Sequence, residues 1–214
     1  MIKELTWEIC KCLKDGYYMA ALISALTIPD ICGKAEYPEM EKQTKKRYVD
    51  WCNKYLGKSK KTSFLKVGEF YQNGELVYSL RCSLLHQGNP NIEDSVSKKN
   101  DIIYFELLYQ KSSDGSGCRW TSEAQLIEDD GEEKAVSIKY SVDIKLLCYK
   151  LCLAAREYYN SNKEKFNFFN YKIAGLDFYT KRNLGVDINE TAFDYKNDNE
   201  ELDIDMLYQM ACEF

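Results

Sequence analysis

The chain has 214 residues, a hydrophobic fraction of 45% and a formal net charge of -5 at pH 7. This length and hydrophobic content suit one globular domain, alone or with an appendage, and 3 Pro with 11 Gly exclude a disordered or fibrous chain. The negative charge gives no general attraction for nucleic acid, so binding of RNA would need a local basic surface.

The first residues lack the basic start and apolar core of a secretory signal. The longest apolar stretch, around residues 19–28, is too short to span a membrane. The nine cysteines are odd in number, and most fall in helical patterns where Cys acts as a small apolar residue. A cytoplasmic, reduced protein with no membrane segment is therefore predicted, and the lack of a CxxC motif disfavours a redox function.

Hydrophobic periodicity predicts four helices in the first ninety residues. They are placed at about residues 2–13, 17–28, 39–56 and 74–87. The second is apolar nearly all round, as a central buried helix requires, and Pro29 and Gly33 are expected to end it. Gly57 and Gly88 are expected to cap the third and fourth helices. The predicted core face of the third helix consists of Tyr48, Trp51, Cys52 and Tyr55.

The pattern changes after residue 100. Runs of β-branched and aromatic residues at about 102–109, 119–127 and 136–140 predict three short strands joined by turns, as an antiparallel meander. A helical pattern returns from 142 to 159. The aromatic stretch 161–185 shows no clear period.

The predicted fold is therefore α-dominated, of the α+β class, with an up-down bundle of four or five helices. Residues 1–92 form the bundle, the helix at 142–160 packs back on it, and 100–141 form the three-stranded antiparallel insertion. The remaining residues, 161–214, hold the aromatic segment and an acidic tail with nine acidic residues against one lysine after position 186.

The chain has one histidine, His86, so a zinc site built on two or more histidines is impossible. Paired CxxC knuckles are absent, and Gly115 and Gly117 form no phosphate-binding fingerprint. We therefore predict no metal and no cofactor. The remaining candidate for chemistry is Arg81 with His86, five residues apart at the end of a helix.

Residues five apart on an α-helix are displaced by about 140°. Arg81 and His86 can converge if the last turn unwinds, or if a second copy of the helix supplies the partner groups across a two-fold axis. The carbonyls at the helix end favour the imidazolium form of His86, whereas the charge of Arg81 disfavours it. This balance suits proton transfer near neutral pH.

The Arg81-x4-His86 pattern near the end of a helix resembles the signature of the HEPN superfamily (higher eukaryotes and prokaryotes nucleotide-binding). Three runs, at residues 21–33, 47–51 and 80–89, are similar to a bacterial subgroup of this superfamily. The resemblance covers about residues 15–90 and leaves out the strand region. Active members often carry a polar residue after the arginine, where this chain has Cys82.

This resemblance implies a metal-independent endoribonuclease of the toxin or bacterial defence type, with two Arg-x4–6-His motifs in one cleft of a homodimer. Carried over to this chain, His86 would be the general acid or base and Arg81 would hold the scissile phosphate. Ser83, Asn89 and Asp30 would support the site. The implied partners are RNA and a cognate antitoxin or other protein.

Structural roles for the same residues stay open at this point. Arg81 could form an ion pair with Asp30 or Glu36, and His86 could bond its own last helix carbonyls. Both roles together describe a non-catalytic HEPN-like dimer that binds a nucleotide or a partner protein.

A basic stretch between positions 41 and 66 holds nine Lys or Arg against two acidic residues. It could track an RNA backbone or form an ordinary solvated helix face. The acidic tail could mask it, in which case deleting residues 187–214 would strengthen RNA binding. The proposed RNA contacts are Lys45, Lys46, Arg47, Lys60 and Lys61.

Overall fold

The computed structural model describes residues 1–56, 73–87, 91–92, 102–109, 122–129 and 132–168. The described part is dominated by helices and holds one small sheet. The α-helices among these residues are α1 (Ile2–Lys14), α2 (Tyr18–Ala25), α3 (Ile28–Glu36), α4 (Thr44–Tyr55), α5 (Gly74–Cys82) and α6 (Ile144–Ser161). None of the helices described is long and apolar enough to cross a membrane.

Helix α1 is followed by a glycine that turns the chain, Gly16. Gly16 has a φ of 83°, a left-handed conformation that residues with a Cβ adopt only with strain. The amide of Tyr17 donates to the carbonyl of Cys12 at 2.8 Å, and the amide of Gly16 donates to that of Leu13 at 3.2 Å. These two bonds form a Schellman motif, which turns the chain sharply into α2.

Pro29 begins a helix, whereas the sequence analysis expected it to end one. The predicted helix over 17–28 stops at Ala25, and Pro29 lies in the first turn of α3. A proline fits there because the first turn has no intrahelical acceptor for its missing N–H. Helix α2 is also less buried than predicted, since Met19 and Ile23 are exposed.

Helix α4 is shorter than predicted, because residues Pro38–Met40 form a separate 3-10 turn. Its predicted core face is confirmed for Tyr48, Trp51 and Cys52, which are fully buried. The Tyr48 hydroxyl donates to the carbonyl of Leu26 at 3.2 Å, so this buried phenol ties α4 to the end of α2. The predicted caps at Gly57 and Gly88 lie outside the described residues.

Two glycines allow the neighbours of α4 to approach its backbone closely. A Cβ on Gly33 of α3 would lie 2.9 Å from the carbonyl oxygen of Arg47. A Cβ on Gly74, the first residue of α5, would lie 2.6 Å from the carbonyl oxygen of Val49. Both separations are shorter than van der Waals contact. Helices α3 and α5 can therefore pack this closely on α4 only because glycine has no Cβ at these two positions.

The sheet has four strands, β1 (Asn91–Ile92), β2 (Ile102–Leu108), β3 (Ser122–Asp129) and β4 (Glu132–Asp143), in the order β1-β2-β4-β3. The predicted three-stranded antiparallel meander is therefore wrong in its pairing. Strand β4 pairs antiparallel with β3 but parallel with β2. The link from β2 to β4 is long enough for the crossover that parallel strands need. Hydrophobic alternation identified the strands, but it does not indicate which strands pair.

Strand β4 runs directly into α6, which packs against α1, α2 and α3. The side chain of Asp143 caps α6 by accepting a hydrogen bond from the amide of Leu146 at 3.0 Å. Helix α6 is buried along most of its length, and its core residues include Leu147, Leu151 and Tyr158. The last turn described, Lys163–Phe166, follows α6 and folds back towards α3.

Glu36 at the end of α3 receives four side-chain hydrogen bonds. Its Oε1 accepts from Lys54 and from the hydroxyl of Tyr55 at 2.9 Å. Its Oε2 accepts from the hydroxyl of Tyr158 at 3.0 Å and from Lys165 at 2.7 Å. Burial raises the pKa of Glu36, but these donors outweigh burial and lower the pKa from 4.5 to about 2. The carboxylate therefore joins α3, α4, α6 and the turn that follows α6.

Replacing Glu36 by glutamine is expected to destabilise the protein at neutral pH and to have little effect in strong acid. Because folding lowers the pKa of Glu36, its contribution is fully present above about pH 4.5 and disappears as the pH falls towards 2. The two lysine donors are 48% and 38% exposed, so we expect about 1–3 kcal/mol rather than the full value of the shift. Urea unfolding of both chains between pH 2 and 7 measures this difference. A constant difference over that range would contradict the role of the ionised carboxylate.

Candidate functional site

Helix α5 begins with a cap and ends in a wider turn. The side chain of Asn73 accepts hydrogen bonds from the amides of Glu75 at 3.0 Å and Leu76 at 3.4 Å. At the other end the α-helical pattern stops at Cys82, and Ser83–Gln87 form a π-helical segment. π-Helical turns are rare, and they occur often at functional sites.

The π-helical segment changes the relative placement of positions 81 and 86. In a π-helix the hydrogen bond spans five residues rather than four, so each residue rotates less about the axis than in an α-helix. The offset between Arg81 and His86 is therefore smaller than the α-helical value of about 140°. A change in the winding of the last turn was one of the two routes to convergence that the sequence analysis named.

Arg81 forms an ion pair with Asp30 of α3. Its Nη2 and Nε donate to Asp30 Oδ2 at 3.0 and 3.2 Å. The two side chains are 16% and 23% exposed, so the pair is largely but not completely removed from water. Burial lowers the pKa of Arg81, but the charge of Asp30 and its hydrogen bonds raise the pKa by more. The guanidinium therefore stays ionised.

This pair matches one of the two structural partners that the sequence analysis left open. The other, Glu36, is occupied by the lysines and tyrosines described above. Asp30 lies in the first turn of α3, where the free amide groups of the helix favour a carboxylate. It therefore fixes the orientation of Arg81 without closing it off from solvent.

Tyr78, one turn before Arg81, lies between two cations. The guanidinium carbon of Arg81 and the Nζ of Lys45 are each 5.9 Å from the centre of its ring. The ring of Tyr48 contacts it edge-on, with the centroids 5.2 Å apart. Burial, together with a hydrogen bond that the hydroxyl donates to Cys82, raises the pKa of Tyr78 to about 12. Cation–π contacts of this kind hold both cations beside the neutral ring.

The proposed supporting residues have different positions. Asp30 contacts Arg81, as described. Ser83 is buried, and its hydroxyl donates to the carbonyl of Ser79 at 3.0 Å, so it serves the helix backbone rather than an open site. Asn89 lies outside the described residues. His86 lies in the π-helical segment.

The proposed RNA contacts are only partly on the surface. Lys45 is exposed and forms an ion pair with Glu75 at 2.9 Å. Lys46 is exposed and pairs with Asp50 at 2.6 Å. Arg47 is buried, because α3 packs over it at Gly33, so it is corrected from an RNA contact to a core residue. Lys60 and Lys61 lie outside the described residues, as does the acidic tail.

Sequence reasoning missed Tyr78 as a member of this region, and it counted Lys42 in the basic stretch without naming it as a contact. Tyr78 lies three residues before Arg81. A tyrosine at this spacing is not a distinctive signal in a chain with 17 tyrosines. Lys42 lines a surface groove between α4 and α5 with Lys45 and Lys46. The placement of Lys45 and Arg81 at one ring depends on how α4 and α5 pack, which spacing along the chain does not give.

The described residues also include acidic side chains and thiols. Among the residues that the structure describes, no group of three or more His, Cys, Asp or Glu side chains could hold a metal ion. The seven cysteines described are free thiols, and burial raises the pKa of Cys52, Cys148 and Cys152 well above the ordinary value. Cys52, Cys148 and Cys152 are therefore packing groups rather than nucleophiles.

Comparison with protein-family models, curated proteins and solved structures finds no match to this chain. A function must therefore be argued from the residues and their geometry.

Proposed function

We propose that this protein is a HEPN-type RNA-binding endoribonuclease that cleaves single-stranded RNA without a metal ion and acts as a homodimer. The observation that carries the proposal is the π-helical segment Ser83–Gln87, which lies directly after Arg81 and contains His86. Its winding makes the angular offset between positions 81 and 86 smaller than in an α-helix, which supports a shared role of the two residues at one phosphate. The ion pair with Asp30 adds a fixed, ionised guanidinium.

In this proposal Arg81 binds the scissile phosphate and stabilises the charge that develops on it. One imidazole removes the proton of the 2′-hydroxyl, whose oxygen forms a bond to phosphorus. The P–O5′ bond breaks, and the departing 5′-oxygen takes a proton from a second imidazole. Two copies of His86, one from each protomer, supply the base and the acid. The products are a 2′,3′-cyclic phosphate and a 5′-hydroxyl.

The biological setting follows from the same resemblance and is part of the proposal. The protein would be cytoplasmic and would act in bacterial defence or as a toxin restrained by a cognate antitoxin. The reduced state of the cysteines predicted from the sequence suits that compartment.

The proposal is tested by incubating the purified chain with RNA in excess EDTA and identifying the ends of the fragments. We expect cleavage that leaves 2′,3′-cyclic phosphate and 5′-hydroxyl ends, and no cleavage of an oligonucleotide of the same sequence with 2′-deoxy sugars. Intact RNA under all conditions, or fragments with 5′-phosphate ends that form only with a divalent metal, would contradict it.

A second candidate is a non-catalytic dimeric module that binds a nucleotide or a partner protein. It is favoured by large apolar side chains on the surface, since Tyr17, Met19 and Tyr109 are 65%, 45% and 54% exposed. The ring of Tyr109 stacks on Tyr18 with the centroids 4.9 Å apart, so the end of β2 and the start of α2 form adjoining parts of this surface. This candidate predicts no RNA cleavage at all, whereas both candidates predict that Arg81 stabilises the fold.

A further inference from the structure

A surface groove lies where the first turn of α4 faces the start of α5. It has a volume of about 390 Å³, which is within the range of sites that hold groups the size of a nucleotide. Seven of its eight lining residues have polar or charged side chains, and the charged ones are Lys42, Lys45, Lys46, Asp50 and Glu75.

The charges in this groove leave a cation in excess. The acidic groups Asp50 and Glu75 are each neutralised by an ion pair, with Lys46 and Lys45 respectively. Lys42 is exposed and forms no ion pair with any residue that the structure describes. Both paired lysines remain more than half exposed, and exposed ion pairs contribute little free energy. Each lysine can therefore leave its carboxylate and bind a phosphate instead.

The groove is connected to the arginine of the proposed site through one ring. Lys45 belongs to the groove, and its Nζ lies 5.9 Å from the centre of the Tyr78 ring. The guanidinium of Arg81 is at the same distance from that ring. Lys45 and Arg81 therefore lie within 5.9 Å of the same ring at the contact between α4 and α5, and Lys42 lines the same groove as Lys45.

We propose that this groove is a second phosphate subsite, which binds the backbone of single-stranded RNA on one side of the phosphate held by Arg81. The inference rests on the proposed function, because it takes Arg81 as the position of the scissile phosphate. A polyanion with regularly spaced phosphates can reach both places at once. Lys42 and Lys45 contact the backbone and not the bases, so binding here depends on salt and hardly on sequence.

The test measures RNA binding in the His86→Ala chain, so that the ligand is not cut. The probe is a fluorescent oligouridylate of about 12 nucleotides, titrated by anisotropy at several salt concentrations. The variant is Lys42→Gln/Lys45→Gln. The matched control is Lys11→Gln/Lys14→Gln on α1, which also removes one ion-paired lysine and one lysine without an ion pair among the described residues.

We expect the groove variant to bind about five- to twentyfold more weakly at 0.1 M salt and to make the negative slope of log affinity against log salt shallower by about 0.7–1.4. The control should change neither quantity by as much as half of this. Equal binding by the groove variant and the control, or no binding of the oligouridylate by the parent chain, would overturn the subsite. Displacement of the RNA by polyglutamate at equal charge concentration would also overturn it, in favour of an acidic peptide.

This outcome is separable from the outcome for the proposed function. If the native chain cleaves RNA but the groove lysines do not affect binding, the subsite fails and the endoribonuclease proposal stands. If the lysines govern binding but RNA is never cleaved, the subsite stands as a binding surface and the catalytic proposal fails. Thermal unfolding of each variant verifies that these exposed substitutions leave the fold intact.

Discussion

Replacing Arg81 by alanine is expected to lower metal-independent RNA cleavage by about 10²–10³-fold and the free energy of unfolding by about 1–3 kcal/mol. The first effect follows from the loss of the cation that would hold the scissile phosphate. The second arises because Asp30, which is 23% exposed, would lose the two hydrogen bonds from Arg81. The value is smaller than for a completely buried ion pair, because both side chains retain contact with water.

The double variant Arg81→Ala/Asp30→Ala separates the two effects. Removing both charges eliminates the cost of a carboxylate that has lost its partner, so part of the lost stability should return, while cleavage should remain as low as in Arg81→Ala. Urea unfolding and initial cleavage rates in EDTA provide the two readouts. Cleavage by Arg81→Ala at the native rate would remove Arg81 from the catalytic site and leave it as a structural residue.

The substitution Gly74→Ala is expected to reduce the free energy of unfolding by about 2–3 kcal/mol. The new methyl group would lie 2.6 Å from the carbonyl oxygen of Val49 and 2.9 Å from Oδ1 of Asn53. The backbone oxygen cannot rotate away, so α5 must move off α4. This movement would also strain the hydrogen bond from the amide of Gly74 to Asn53, which is 2.8 Å long.

Gly16→Ala is the control for this steric effect. No atom lies within 4 Å of a Cβ at Gly16, so the only cost is that of a left-handed conformation, about 1 kcal/mol. Urea unfolding of both variants gives the comparison. If Gly74→Ala were no more destabilising than Gly16→Ala, the close packing of α5 on α4 would be contradicted.

The helices could largely be predicted from sequence, because the residues on the buried face of a helix are apolar and recur every three or four positions. The faces of α1 and α4 follow the apolar spacing closely. The boundary between α2 and α3 could not be predicted, because a proline is found both in the first turn of a helix and just after the end of one. The local sequence around Pro29 does not distinguish these two positions. Likewise, strand periodicity located β2 and β4 but held no information on their parallel pairing.

The candidate site could be predicted in part. The unusual pair Arg81 and His86 was recognisable from residue type and spacing, and Asp30 was among the partners considered for the arginine. The burial of Arg47 was not foreseeable, because it depends on Gly33 allowing α3 to approach α4. The position of Tyr78 between Lys45 and Arg81 depends in the same way on tertiary packing.

The assignment of His86 is tested most directly by comparing the native chain with His86→Ala for cleavage of one defined single-stranded RNA in EDTA. The circular dichroism and thermal unfolding of the two chains should agree. Because general acid–base catalysis contributes about 10²–10⁴-fold, we expect the variant to cleave at least about 100 times more slowly. Equal rates for the two chains, or no cleavage by the native chain, would contradict a nuclease built on Arg81 and His86.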